Sequence, residues 1–352
     1  VPRIDYTGGG CPHILAEPQR TNFQTYSSDL ASVYVPTNIT QTSNYSVSPD
    51  GSSTSTRLVL GNLTDSRSVE TFTGVVISGN TYTFSAYYKG VAGETTYMYF
   101  LSSTGGTSIS KQITFNGNWQ RESITFTAGS ASNYTYIVDV RQGSSNATDF
   151  EVWGGQVEEG SYETSLIPTS GSTVTRNQDI FTRDGIGSLI NSTEGVLFVD
   201  IAALSDDLTY REISLSDGTT SNRVEIRYSP TSNRIQGIVR VGGSVIASLS
   251  FIVSDITDFS KVAVKWKLND FSLWVDGFER DTLGSGIVPT GMNRLGLDRG
   301  DGTDEFFGKV KQLQVYDTAL TDEQLLQLTG ESGTDFYESY AEMASALTYT
   351  IQ

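Results

Sequence analysis

The chain has 352 residues, of which 37% are hydrophobic, 11% aromatic and 18% charged, and its formal net charge is −17. This composition supports globular packing, over a length that suits two domains of about 100–200 residues each. The negative charge disfavours nucleic acid as a partner, because nucleic-acid binding needs a clustered basic surface. No apolar run reaches the ~18 residues of a membrane-spanning helix, so no membrane insertion is expected.

The single cysteine and the single histidine restrict the chemistry further. Cys11 alone excludes an internal disulfide and is predicted to be a buried or loop thiol. His13, in the Gly/Pro-rich run "GGGCPH", is predicted to be a loop residue with no catalytic partner, so its replacement by alanine should leave folding unchanged. A zinc centre with two or more histidine ligands is excluded. Since the sequence starts at Val1 and not at Met, we expect a preceding attachment segment.

Residues 1–20 are predicted to be a leading segment or linker, and residues 21–170 a first β-sandwich. Ser, Thr and Gly separate short strand-like runs, a pattern typical of sandwiches. These runs are "TRLVLG" (56–61), "YTFSAYYKG" (82–90), "TTYMYFL" (95–101), "SISKQITF" (108–115), "WQRESITFT" (119–127), "YTYIVDV" (134–140) and "DFEVWGGQVEEG" (149–160). In "YTFSAYYKG" the alternation places Tyr87 and Lys89 on the face that points away from the core.

Residues 171–330 are predicted to form a second sandwich, from "EGVLFVDIAA" (194–203) to "FFGKVKQLQVYD" (306–317). Asn269-Asp270 and Asp276-Gly277 predict hairpin turns. "LTDEQLLQLTG" (320–330) predicts a helix, with Thr321 as its N-cap and Gln324 completing a capping box. The tail, residues 331–352, is predicted to be helical, with an apolar stripe that packs on the second domain or on a neighbouring subunit: Phe336, Tyr340, Met343 and Leu347.

Two stretches resemble known families. "FEVWGGQVEEGSYETSLIPTSGSTVTR", with Gln156, Glu158, Gly160 and "TSLIPT", resembles the end of the carbohydrate-binding-module-like jelly roll of phage tail-fibre and other virion proteins. "KVAVKWKLNDFSLWVDGFERD", followed by "GLDRGDGTDEFFGKVKQLQVYDTALTDEQLLQLTG", resembles the end of a concanavalin-A-like or laminin-G-like lectin sandwich. The resemblance implies an all-β protein with two tandem β-sandwiches, a jelly roll and a concanavalin-A-like domain, and a short C-terminal helical tail.

Exposed aromatic rings are the usual platforms for sugars, because a flat ring stacks on the apolar face of a pyranose while polar neighbours bind its hydroxyls. In "FSLWVDG" the alternation turns Trp274 away from the core face of the strand. The predicted carbohydrate-binding residues are Trp274, Tyr87, Lys89, Tyr97, Tyr99 and Arg141.

Acidic residues offer two further hypotheses. Asp298, Asp301 and Asp304, in the Gly-rich run "GLDRGDGTDE", could bind Ca²⁺ through oxygen ligands, or could form a solvated acidic loop. A glycosidase needs two acids facing one cleft, whereas the adjacent pairs Glu158-Glu159 and Asp206-Asp207 are predicted to diverge or to lie in turns. No enzymatic activity is therefore expected.

The sequence favours a non-enzymatic phage virion surface protein, namely a fibre, spike or head-fibre-like decoration, that contacts host cell-surface glycans. We expect a homo-oligomer, most simply a trimer, joined to other virion proteins through a preceding N-terminal part. A secreted bacterial carbohydrate-binding adhesin is the alternative, and a polysaccharide depolymerase is a third.

Overall fold

A computed structural model describes residues 3–5, 12–72 and 75–330. The chain divides into two compact units. Residues 18–178 form the first sandwich, and residues 179–330 form the second together with two preceding strands, β1 (Arg3–Asp5) and β2 (His13–Ala16). No helix in these described ranges is long and apolar enough to cross a membrane.

The first sandwich consists of short strands joined by turns and by two 3-10 helices, Leu30–Ser32 and Val140–Gln142. Its strands are β3 (Arg20–Asn22), β4 (Val35–Thr37), β5 (Ile39–Thr42), β6 (Thr56–Leu60), β7 (Arg67–Phe72), β8 (Thr81–Lys89), β9 (Thr95–Ser102), β10 (Ile109–Thr114), β11 (Gln120–Thr127), β12 (Asn133–Asp139), β13 (Asp149–Glu159) and β14 (Val174–Arg176). Two five-stranded sheets, β10-β9-β12-β7-β4 and β11-β8-β13-β6-β5, enclose the core, and β14 pairs with β3.

Strand alternation places one side of each sheet in this core. On β8 the residues Tyr82, Phe84, Ala86 and Tyr88 all belong to the apolar cluster between the sheets. The ring of Phe126 stacks on Phe100 with centroids 3.5 Å apart, which joins the two sheets. The residues between these core residues on each strand point to the outer faces of the two sheets.

Within its described residues, the second sandwich contains one 3-10 helix, Gly187–Leu189, and one α-helix, α1 (Asp322–Thr329). Its other strands are β15 (Thr182–Arg183), β16 (Glu194–Ala203), β17 (Arg211–Ser216), β18 (Arg223–Tyr228), β19 (Arg234–Val241), β20 (Ser244–Ile252), β21 (Ser260–Lys267), β22 (Asp270–Val275), β23 (Phe278–Leu283), β24 (Arg294–Gly296) and β25 (Gly308–Tyr316). A seven-stranded sheet, β1-β2-β25-β16-β21-β22-β23, packs on a six-stranded sheet, β15-β24-β17-β18-β19-β20.

The fold-class prediction is confirmed: the regular secondary structure of the described residues is mainly β-strand, in two sandwiches, with one short α-helix near residue 330. Thr321 caps α1 and exchanges hydrogen bonds with Gln324, so the predicted capping box is present. The Asp276-Gly277 hairpin is confirmed by positive φ angles of 50° and 79°. The other turn uses Leu268 and Asn269, one residue earlier than predicted, since Lys267 pairs with Asp270.

The N-terminal segment differs from the prediction of a linker. β2 pairs with β25 in the register Ile14↔Val310, and β1 pairs with β2. β2 thereby covers the backbone edge that β25 would otherwise expose, which is a physical reason for the arrangement. The boundaries between the units lie at 17/18 and 178/179 rather than at 20/21 and 170/171. Cys11 and the predicted helical tail of residues 331–352 lie outside the described residues.

Candidate functional site

A surface rich in tyrosine covers the outer face of the sheet β10-β9-β12-β7-β4. On β9, Met98 and Phe100 are fully buried in the core, so the alternating residues point outward. We call this outer surface the tyrosine face and define it by its aromatic and aliphatic side chains: Tyr97, Tyr99, Leu101, Tyr134, Tyr136, Val69 and Val35.

Cross-strand register aligns these side chains in rows. Tyr99 lies opposite Ser110 on one side and Tyr136 on the other. The row continues from Tyr136 through Val69 to Val35, and so crosses all five strands. A second row joins Leu101, Tyr134 and Thr71. Because directly opposed residues stand on the same side of a sheet, the rows form a continuous surface.

The central rings are in contact. The centroids of Tyr99 and Tyr136 lie 5.4 Å apart, with an interplanar angle of 35°. Tyr136 is 8% exposed, while Tyr99 and Tyr97 are half-buried and Val35 is 65% exposed. Burial raises the pKa of Tyr136, and the nearby Arg141 cation opposes that rise. Tyr136 therefore stays a neutral hydroxyl over the physiological range.

Arg141 borders the face and is held in place. Its guanidinium lies 5.9 Å from the ring centroid of Tyr136. It donates two hydrogen bonds to the buried Asp139, from Nε at 2.8 Å and from Nη2 at 2.7 Å. These bonds raise the pKa of Arg141 above its ordinary value. Arg67, also at the border, pairs with Asp65, so both bordering cations are neutralised by aspartates.

The structure divides the predicted first-domain set between two sheets. Tyr97, Tyr99 and Arg141 meet on the tyrosine face, whereas Tyr87 and Lys89 lie on β8 in the other sheet. Tyr87 is also packed: its ring lies 5.5 Å from that of Trp153, and the guanidinium of Arg121 lies 5.4 Å from its centroid. Tyr87 is therefore half-covered and does not belong to the same surface as Tyr97.

Trp274 corrects the prediction for the second sandwich. Its side chain does leave the core between the sheets, but α1 covers that outer face and leaves Trp274 6% exposed. It packs there with Leu325 of the helix and with Phe198, and its Nε1 donates to Ser272 at 3.1 Å. A ring buried under a helix cannot stack on a sugar.

Two lysines of the neighbouring strand β21 contact α1 and the residue that follows it. Lys261 donates from Nζ to the carbonyl of Gly330 at 2.6 Å, at the C-terminal end of the helix. Lys265 lies 3.6 Å from Asp322 in the first turn of the helix and 3.0 Å from Asp270. These lysines are thus partners of the helix and not an open basic patch.

The predicted calcium loop does not assemble a site. Asp298 is 2% exposed and faces Arg294, whose Nη2 donates to its Oδ2 at 2.6 Å. Asp301 accepts from the backbone and hydroxyl of Thr303, and Asp304 pairs with Arg299 at 3.2 Å. In residues 3–5, 12–72 and 75–330 no group of three potential ligands converges on one point.

His13 is not a loop residue. It lies in β2, is 4% exposed, and contacts Asp5 with 3.2 Å between Nε2 and Oδ2. Its ring packs edge-on against Phe259 with centroids 5.3 Å apart. The Gly/Pro-rich sequence before it suggested a loop, but the strand forms because the edge of β25 is available for pairing.

Tyr134 is a functional candidate that the sequence prediction omitted, and Tyr136 is a supporting residue that it also omitted. The sequence does contain a signal for these residues, because "YTYIVDV" predicts a strand in which the two tyrosines alternate with Thr135 and so share one face. What the sequence lacked was the pairing of β12 with β9, which places Tyr136 opposite Tyr99.

No protein-family model matches the chain, and no curated protein matches it. Among solved structures, the tandem CBM22 modules of a Paenibacillus barcinonensis protein are 11% identical, with a TM-score of 0.31, covering 86% of this chain and 100% of that one. Domains LG4-5 of the mouse laminin α1 chain are 10% identical, with a TM-score of 0.29, covering 74% and 92%. A pentraxin of Limulus polyphemus is 16% identical, with a TM-score of 0.33, covering 40% and 70%. These likenesses are too weak to indicate a ligand.

Proposed function

We propose that this protein binds carbohydrate through the tyrosine face of the first sandwich. The observation that carries the proposal is the presence of two half-buried rings, Tyr97 and Tyr99, on an outer sheet face, where the largely buried Tyr136 packs against Tyr99 and holds it in place. Aromatic rings stack on the apolar faces of pyranoses, and their hydroxyls hydrogen-bond to sugar hydroxyls. The row crosses all five strands of the sheet, which suits an extended stretch of a glycan chain.

The electrostatics favour a neutral glycan. The cations at the border are already bound, Arg141 to Asp139 and Arg67 to Asp65. In a chain whose net charge is −17, neither of these two cations, among the described residues of this face, is left to attract an anionic polysaccharide. Hydroxyl and amide groups such as Ser110 and Gln112, opposite Tyr99 and Tyr97, provide uncharged hydrogen-bonding partners.

Binding without catalysis is the second part of the proposal. Glycoside hydrolysis needs two carboxyl groups facing one accessible cleft. Glu212 and Glu225 do lie close together in the second sandwich, where burial and Glu225 raise the pKa of Glu212 to about 7. Both acids contact Arg227 at 3.2 Å and are only 1% and 0% exposed, which closes them to a substrate. Release of oligosaccharide from host polysaccharide would instead support a depolymerase.

For the biological setting, we propose the surface of a phage virion, with host glycan as the partner. The "QVEEG" and "TSLIPT" motifs support it through their resemblance to fibre proteins. A secreted bacterial adhesin has equal support from the tyrosine face itself. The full-length N-terminus distinguishes the two: a virion attachment domain would favour the first and a signal peptide the second. Light scattering tests the proposed homo-oligomer, a trimer in its simplest form.

The test of carbohydrate binding is adsorption to glycan arrays and to host cells, with Tyr99→Ala and Tyr97→Ala made separately. Loss of one stacking ring should weaken binding about 5- to 150-fold. Tyr210→Ala is the matched control, since Tyr210 is a 38% exposed tyrosine of the second sandwich. If both variants fold and bind glycan as well as the parent, the tyrosine face is not the binding site. If the parent binds no glycan, the proposed function is wrong.

A further inference from the structure

The other sheet of the first sandwich carries a recess of about 200 Å³. It opens where β8 ends and β13 begins, beside the loop that precedes β6. Its lining residues are Tyr45, Lys89, Gly90, Val91, Asp149, Phe150 and Glu151. Ligand pockets for drug-sized molecules span about 300–1,000 Å³, so this recess has room for a single small ring.

A hydrogen-bond donor and an acceptor stand side by side in the recess without bonding each other. Nζ of Lys89 lies 3.7 Å from Oε1 of Glu151, beyond the usual range of a hydrogen bond. The other carboxylate oxygen of Glu151 is already used, since it accepts from the hydroxyls of Ser46 and Ser55. A ligand hydroxyl placed between them could accept a hydrogen bond from Nζ of Lys89 and donate one to Oε1 of Glu151.

An exposed ring lies next to this pair. Tyr45 is 47% exposed, and the guanidinium of Arg57 lies 4.8 Å from its ring centroid. Arg57 is fixed in turn by Asp149, with 2.8 Å between its Nε and Oδ1. Carboxylate, ammonium and aromatic ring thus surround one small volume.

The loop that carries Tyr45 is anchored before any ligand arrives. Trp119 donates from Nε1 to the carbonyl of Val47 at 3.1 Å, and its ring lies 5.8 Å from Nζ of Lys89. The backbone of Tyr45 donates to the carbonyl of Ser55 at 2.9 Å. A recess built on such contacts is largely preformed, which lowers the entropic cost of binding.

We propose that this recess binds one pyranose ring, the terminal unit of a glycan. Sugar hydroxyls bridge Lys89 and Glu151, and the apolar face of the sugar packs on Tyr45. The small volume selects a chain end, whereas the open tyrosine face accepts an internal stretch. The two sites lie on different sheets, so the recess does not depend on the function proposed above.

Isothermal titration of the whole chain with methyl glycosides of glucose, galactose and mannose tests the proposal. The parent should bind at least one of them, and Lys89→Met and Glu151→Gln should each weaken that binding about tenfold. Lys111→Met is the matched control, because Lys111 is a similarly exposed lysine of the same sandwich, paired with Glu122 at 2.8 Å. It should bind as the parent does.

Two outcomes overturn the proposal: no methyl glycoside binds to the parent, or binding is unchanged in both variants. Glu151→Gln keeps an acceptor for Ser46 and Ser55, and the exposed Tyr45→Ala provides a second variant if either of the others fails to fold. In a protein that already carries Tyr99→Ala, Lys89→Met should still weaken methyl glycoside binding about tenfold, which assigns that binding to the recess. If Tyr99→Ala loses adsorption to polysaccharide and Lys89→Met keeps it, the tyrosine face and the recess bind independently of each other.

Discussion

Glu158 receives two hydrogen bonds from Thr164, one from its backbone N at 2.8 Å and one from its hydroxyl at 2.6 Å. Both residues are buried, and Gln156 adds a third bond from Nε2 at 2.6 Å. Gln156 also accepts from the backbone of Ile167 at 2.7 Å. The motif that resembles fibre proteins is therefore a buried polar network that fastens the segment after β13 to that strand.

We predict that Glu158→Gln destabilises the first sandwich by about 1–3 kcal/mol, because a carboxamide places a donor against one of the donors that Glu158 accepts from. Chemical denaturation followed through Trp119 and Trp153 measures the change. Glu159→Gln is the control, since Glu159 is the exposed neighbour and contacts only the half-buried Asn80 among the bonds described. Equal stability of the two variants would contradict a structural role for the motif.

Trp274→Ala should destabilise the second sandwich by about 3–5 kcal/mol, since it removes a large side chain from under α1. Glycan binding by the folded fraction should stay at the parent level. Phe278→Ala, which changes a 58% exposed aromatic residue of the same sheet, should cost less than about 1 kcal/mol. If the Trp274→Ala protein is as stable as the parent but no longer adsorbs to glycan, Trp274 is a sugar-binding ring and the assignment made here is wrong.

The sequence predicted features that local physics decides. Alternation along β8, the Asp276-Gly277 turn and the capping box of α1 depend on neighbours within a few residues. It missed features that distant pairing decides. Trp274 does leave its core face, as alternation requires, but the sequence does not say that α1 covers it. Tyr87 and Tyr97 both point outward, and only the strand order assigns them to different sheets.

Glu70 makes the stability of the first sandwich depend on pH. It is 8% exposed, its Oε2 accepts no hydrogen bond from the described residues, and burial raises its pKa to about 8. A raised pKa means that the folded state keeps a proton that the unfolded state releases. The contribution of the protonated Glu70 to the free energy of unfolding is therefore fully present below about pH 4.5, and it is lost as the pH rises toward 8.

We therefore predict that Glu70→Gln gains stability relative to the parent between pH 4.5 and 8, with a slope of up to ~1.4 kcal/mol per pH unit. Above this window the difference should be constant. Denaturation at pH 4, 6, 8 and 9 measures it. A difference between the two proteins that does not vary over this series would show that Glu70 ionises normally in the folded state.

A chelator should leave the melting temperature of the second sandwich unchanged, because the acids at 298, 301 and 304 are bound to Arg294, Thr303 and Arg299. Asp298→Asn should lower it, since the Arg294 cation would lose a buried partner. Asp301→Asn is the exposed control. A melting temperature that falls with chelator and recovers with added Ca²⁺ would mean that these acids rearrange to bind the ion.

The last prediction concerns His13, which joins the N-terminal strands to the second sandwich. Its ring packs on Phe259 and its Nε2 contacts Asp5, directly opposite in the register of β1 and β2. His13→Ala should lower the stability of the second sandwich by about 1–3 kcal/mol, because it removes a buried ring and leaves a carboxylate with one partner fewer. Ile4→Ala is the control, since Ile4 lies in the same strand pair but is 44% exposed. Denaturation followed through Trp266 and Trp274 measures both variants, and a parent-like midpoint for His13→Ala would mean that β1 and β2 contribute little to the second sandwich.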